Sequence, residues 1–224
     1  MGLGTGGHGP SVVMRLFLLG SGLVLGAGLV LGACGPKPPP PVVVESPLAL
    51  DEAVLNAMVA EVVPLVEEAA GRPFLEVPHV RVSRPDDVAR VLHDEYLLVV
   101  GRIFEAPEWV LERLASQSAG GMYGLVGKYG IETRVLYVSP EAIAGVLAHS
   151  GMADSRAGDV TRVLLAHELT HALQAQQAGH AAIWSDLEDM EALNGLKGVT
   201  EGHANFVERR VAERLGVLDV VEAM

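Results

Sequence analysis

The sequence predicts an α+β domain in which helices dominate and a small sheet lies beside one central helix. Helical patterning recurs along most of the chain, and the sequence flanking His167-Glu168-Leu169-Thr170-His171 suits a helix. Only two short stretches read as strands: residues 79–83, which alternate, and residues 131–139, which are rich in β-branched side chains. No repeat interrupts residues 47–224, a length that suits one domain with a single core.

The chain opens on an apolar, uncharged run over residues 16–33, with Arg15 before it and Cys34 closing it. A basic start, an apolar middle and small residues before a cut make a secretory signal, so residues 1–33 are expected to be a signal peptide, with translation beginning at Met14. A retained single-span anchor is the alternative, because the run approaches membrane-spanning length. The glycines at 20, 22, 26, 28 and 32 weaken it as a helix. Leu31-Gly32-Ala33-Cys34 resembles the bacterial lipoprotein box, which implies that Cys34 is lipidated and anchors the mature protein at the cell envelope. Cys34 is the sole cysteine, so no disulfide can form within the chain.

Residues 34–46 contain Pro36-Lys37-Pro38-Pro39-Pro40-Pro41, a stiff tether that extends by about 3 Å per residue. From Cys34 onward 28 acidic residues face 15 basic ones, a net charge of −13, which disfavours nucleic acid as a partner. It equally disfavours an anionic lipid surface, so contact with the membrane is expected only through the Cys34 lipid.

Residues 50–70 form the first expected helix, ended by Gly71-Arg72-Pro73 and kinked at Pro64. The strand at 79–83 follows, and Arg84-Pro85-Asp86-Asp87 opens a second helix. Residues 108–116 make a short helix, and Gly120-Gly121-Met122-Tyr123-Gly124 a turn into the strand at 131–139. The helix carrying His167 runs on through Gln177 with Gly179 as its terminator. Trp109 and Trp184 read as packing anchors.

Two imidazoles four residues apart lie one turn above the other on a helix, where both can bind a single zinc ion. Glu168, beside the first of them, is placed to deprotonate a water on that ion. A third ligand must come from elsewhere. The pattern with a third histidine on the same segment is excluded, because Gln174 and Gln177 stand where glycine and histidine would be required. The carboxylates of Glu188, Asp189, Glu191 and Glu201 remain, the first three mostly a solvated helix face. Gly202 would let backbone or metal approach Glu201 closely, and Asn205, four residues on, would orient a ligand histidine. His203 lies about 160° around a helix from Glu201 and is not expected to bind the same ion. His79, His93, His149 and His180 are expected to lie outside the site.

The run Leu165-Ala166-His167-Glu168-Leu169-Thr170-His171-Ala172-Leu173-Gln174, with Glu201-Gly202-His203-Ala204 downstream, resembles bacterial gluzincins, the thermolysin-like clan of zinc metallopeptidases. The specific likeness spans residues 160–210, with a weaker match through Met122-Tyr123-Gly124 and residues 134–140. It implies a zincin-like fold with one zinc ion on His167, His171 and Glu201, and Glu168 as general base. It also implies that the strand at 135–138 aligns an extended peptide by edge pairing. Two features depart from the clan: Asn205 stands where many members have aspartate, and the spacing from His171 is long, which keeps Glu191 open as third ligand. Tyr123 and Tyr137 are candidate oxyanion donors. The expected activity is therefore an envelope endopeptidase acting on protein or peptide substrates. Because only 23 residues follow Glu201, the alternative is a zinc-stabilised, non-catalytic lipoprotein that binds protein partners.

Overall fold

The computed structural model describes residues 48–120, 126–177 and 186–224. The expected signal peptide, Cys34, the proline tether, Tyr123, Gly179, His180 and Trp184 lie outside these residues. The chain runs α1 (Glu52–Ala70), β1 (His79–Val82), α2 (Pro85–Ile103), α3 (Glu108–Gly120), β2 (Gly127–Tyr129), β3 (Val135–Val138), α4 (Pro140–Ser150), a 3-10 turn (Asp154–Arg156), α5 (Ala157–Ala175), α6 (Met190–Leu215) and α7 (Leu218–Ala223). This is a helix-rich α+β arrangement with a three-stranded sheet. Among the described residues, no helix is long and apolar enough to cross a membrane.

Local chemistry sets the boundaries. Asp51 accepts a 2.8 Å hydrogen bond from the Val54 N–H, capping α1, which continues across Pro64 and ends on Gly71 at φ 72°. Ser139 accepts from the Ala142 N–H at 3.2 Å, and Pro140 takes the first helical position. These two residues turn β3 straight into α4, a helix not expected from the sequence.

Strand order is β1-β3-β2, with β1 parallel and β2 antiparallel to β3. β3 is therefore central and paired on both sides, which corrects the expectation that residues 135–138 offer an open edge to a peptide. The available edge beside α5 belongs to β2, a three-residue strand not expected from the sequence. Residues 131–134 are not strand either. They form the hairpin turn, in which the Gly130 N–H donates to the Val135 carbonyl at 2.9 Å and the Arg134 N–H to the Gly130 carbonyl at 2.8 Å. A Cβ at Gly130 would collide with Thr133 Oγ1 and lie 3.1 Å from the Tyr137 ring, so the turn requires glycine.

Val80, Leu136 and Val138 of the sheet, Leu165, Leu169 and Leu173 of α5, Val59 and Val62 of α1 and Val207 and Val211 of α6 belong to one buried core. Because α1, α4, α6, α7 and β2 all contact α5, that helix is buried on several sides, and its polar motif lies where α6 and β2 meet it. Trp109 is no packing anchor: it is 67% exposed on α3.

Candidate metal centre

His167 and His171 lie one turn apart on α5, with their Nε2 atoms 3.2 Å apart. Glu201 reaches them from α6, Oε2 lying 3.3 Å from His167 Nε2 and Oε1 3.5 Å from His171 Nε2. The three side chains form a group that could hold a metal ion, their ligand atoms all within 4.8 Å of one another. Glu201's side chain is 52% exposed while those of the histidines are 10% and 18% exposed, so the group opens to solvent on the Glu201 side. Glu191 is exposed in the first turn of α6, ten residues before Glu201 and thus roughly 15 Å along the axis.

Each imidazole is held from behind. His167 Nδ1 lies 2.9 Å from Oε2 of Glu208, which is buried. His171 Nδ1 lies 2.9 Å from Oε1 of Gln174. The amide orientation of Gln174 follows from its other end, where Nε2 donates to the Thr200 carbonyl at 2.9 Å and meets His203 Nδ1 at 3.1 Å. Oε1 therefore accepts, His171 Nδ1 carries the proton, and both Nε2 atoms face the Glu201 carboxylate.

The orienting role expected of Asn205 belongs to Glu208. Buried Ala204, Val207 and Val211 define the side of α6 that faces α5. Seven residues on, Glu208 returns to within about 20° of Glu201 on that side, whereas Asn205 is turned about 40° the other way and is exposed. Gly202 does not serve close approach, since a Cβ there would meet nothing within 4 Å. His203 is outside the ligand group, as expected, and supports Gln174 instead; burial and then Arg72 and His171 push its pKa down, which keeps Nδ1 an acceptor. His93 pairs with Asp94 and Glu112, and His149 is exposed on α4.

The charges reinforce one another. Burial opposes a charge on His167, but bonds to Glu201 and Glu208 outweigh it and raise its pKa to about 10. Burial likewise opposes the Glu201 carboxylate, yet bonds to both histidines hold its pKa well below the usual range. Glu168 lies against the sheet, with its Oε2 accepting from the Tyr129 N–H at 2.7 Å. Gly127 makes room there, because a Cβ would stand 3.5 Å from Glu168 Cγ and 3.3 Å from the Tyr137 carbonyl oxygen. Tyr137 itself is buried in the central strand.

Sequence reasoning missed Glu208, the orienting role of Gln174 and the Tyr129 N–H. The i,i+7 spacing from Glu201 and the i,i+3 spacing from His171 were signals for the first two. No protein-family model matches this chain, and neither a curated protein nor a solved structure matches it.

Proposed function

We propose that the chain is a zinc-dependent peptidase of zincin-like fold and gluzincin type. The observation that carries this reading is the ligand spacing. Atoms on a tetrahedral zinc with bonds of about 2.0–2.2 Å stand about 3.3–3.6 Å apart. The two Nε2 atoms stand 3.2 Å apart, and the Glu201 carboxylate places Oε2 3.3 Å from one ring and Oε1 3.5 Å from the other, with both Nδ1 atoms already engaged. Two histidines and a carboxylate, with an exposed side left for water, suit a catalytic rather than a closed structural zinc site.

A zinc ion there would supply Lewis acidity and lower the pKa of a water in its open position. With such an ion bound, Glu168 would be the general base beside it and the proton donor to the leaving amine. The Tyr129 N–H fixes one carboxylate oxygen of Glu168 and leaves the other for this transfer. The β2 edge beside it supports alignment of an extended peptide, because Val126 and Gly130 point their ladder groups at β3 and the intervening odd positions face outward. A lipid on Cys34 would hold the enzyme at the envelope of a bacterial cell, facing protein substrates there.

The same Tyr129–Glu168 bond favours a second reading, in which Glu168 only ties α5 to the sheet and the zinc-stabilised lipoprotein binds partners without cleaving them. Chelator-sensitive cleavage of an unfolded protein by the zinc-loaded chain separates the two. Glu168→Gln should lower that cleavage by about 10²–10⁴-fold with zinc still bound. A parent chain that is inert with zinc bound at one per molecule selects the binding reading.

A further inference from the structure

After the tether the chain has two lysines, Lys128 and Lys197, every other basic residue there being arginine. Both stand beside the metal centre. Lys128 occupies β2 between Gly127 and Tyr129, the residues that adjoin Glu168. Its ammonium lies 3.1 Å from Oε2 of Glu95 on α2, with the two side chains 19% and 16% exposed. Glu95 is engaged on both oxygens, since Oε1 accepts from the Ile131 N–H at 2.6 Å.

Lys197 reaches in from α6, one turn before Glu201, and its Nζ lies 5.4 Å from the centroid of the Tyr96 ring on α2. Among the described residues it has the Tyr96 ring against it and no ion-pair partner. Burial, then the Lys128 charge, push the Lys197 pKa down, against the pull of Glu201. Burial of Lys128 is outweighed by Glu95, Glu168 and Glu201, which raise its pKa. The two ammonium groups thus share one partly desolvated region with Glu168 and Glu201. Glu95 pairs with Lys128, so Lys197 is the ammonium of that region without an ion-pair partner among the described residues. An unpaired ammonium beside a binding site discriminates between substrates by charge.

We propose that Lys197, backed by Lys128, forms a subsite beside the metal centre that recognises a carboxylate of the bound peptide, either an acidic side chain or the free C-terminus. The inference rests on the peptidase reading. Lys197 is displaced from the third ligand by roughly 6 Å along α6. An extended chain covers that in about two residues, so the charge meets a neighbour of the scissile bond rather than the reacting carbonyl. Lys197 is the determinant, because Glu95 already neutralises Lys128.

The test is binding of three fluorescent versions of one flexible peptide to zinc-loaded Glu168→Gln protein. One carries glutamates and an amidated end, one carries glutamines and a free C-terminus, and one carries glutamines and an amidated end. One of the first two should bind about tenfold more tightly than the third, the gain of a charge-assisted contact. Lys197→Met, placed in the same background, should erase that preference while zinc stays at one per chain. Preference for the first peptide identifies a side-chain carboxylate, and for the second a terminal one. Equal binding of all three, or a preference that survives Lys197→Met, overturns the subsite. Cleavage by the parent chain without any charge preference sinks the subsite and leaves the peptidase reading. A charge preference in a chain that cleaves none of these peptides does the reverse.

Discussion

His167 Nδ1 lies 2.9 Å from the carboxylate of Glu208, seven residues beyond Glu201 on the same helix. One helix thus supplies both the carboxylate of the candidate metal group and the group that holds one of its imidazoles. The contact is buried, with the side chains 10% and 12% exposed, so the pair cannot be replaced by water without leaving a buried charge unpaired. Packing of Ala204, Val207 and Val211 against α5 holds Glu201 and Glu208 at the height of His167. Assembly of the core and assembly of the site are the same event.

Removing Glu208 should therefore weaken the metal more than its distance from the ion suggests. Glu208→Ala is expected to lower zinc affinity by about 10–100-fold, the usual effect of losing a partner of a ligand histidine. Asn205→Ala, exposed on the other flank of α6, should leave affinity unchanged. Competition with a chromophoric chelator measures both, and the reverse ranking would return the orienting role to Asn205.

Glu201→Ala removes the anionic ligand itself and should lower affinity by more than about 100-fold, beyond the range of indirect partners. Glu191→Ala should have no effect, since Glu191 is exposed about three turns away. The same titration decides: a Glu191 variant that loses zinc while the Glu201 variant keeps it would move the third ligand to the N-terminal end of α6.

The β2–β3 hairpin carries the Tyr129 N–H that holds Glu168, and Gly130 is its tightest point. Gly130→Ala forces a methyl onto Thr133 Oγ1 and the Tyr137 ring, an overpacking that should cost about 1–3 kcal/mol. Gly145→Ala, where a Cβ meets nothing within 4 Å in α4, should be neutral or stabilising by up to about 1 kcal/mol. Chemical denaturation of both variants with zinc held constant checks the contrast. Equal stabilities would mean that the turn relaxes freely.

The parts of this site that were legible in the sequence are those whose geometry is local. His167, Glu168 and His171 sit on one helical turn, and helical spacing fixes their relation whatever the rest of the chain does. Glu201 was legible only with its neighbours, and for Glu208 the sequence held no more than its seven-residue spacing from Glu201. In the run Val207-Glu208-Arg209-Arg210 nothing marks that carboxylate as inward until α5 is packed against α6. Gly127-Lys128-Tyr129 is too short to alternate, so β2 escaped notice. Which strand is central depends on pairings across more than fifty residues, from His79 to Val135, and local pattern carries no such information.

Metal binding should be steeply pH-dependent, because zinc must displace a proton from His167. In the metal-free chain burial disfavours the imidazolium, yet Glu201 and Glu208 outweigh it and raise the pKa to about 10. The unfolded value is about 6.5. A raised folded pKa means that the cluster's contribution to metal-free stability is fully present below about pH 6.5 and is lost as pH climbs through about 10. Zinc and the proton compete for the same Nε2 lone pair, so apparent zinc affinity should rise about tenfold for each pH unit between 7 and 9. Thermal unfolding should show the two trends diverging. Tm of the metal-free chain should fall from pH 7 to pH 10, while the zinc-induced increase in Tm grows over the same interval. An affinity that stays flat from pH 7 to pH 9 would mean that His167 is already neutral before the metal arrives, and that Glu208 orients the imidazole without holding it charged.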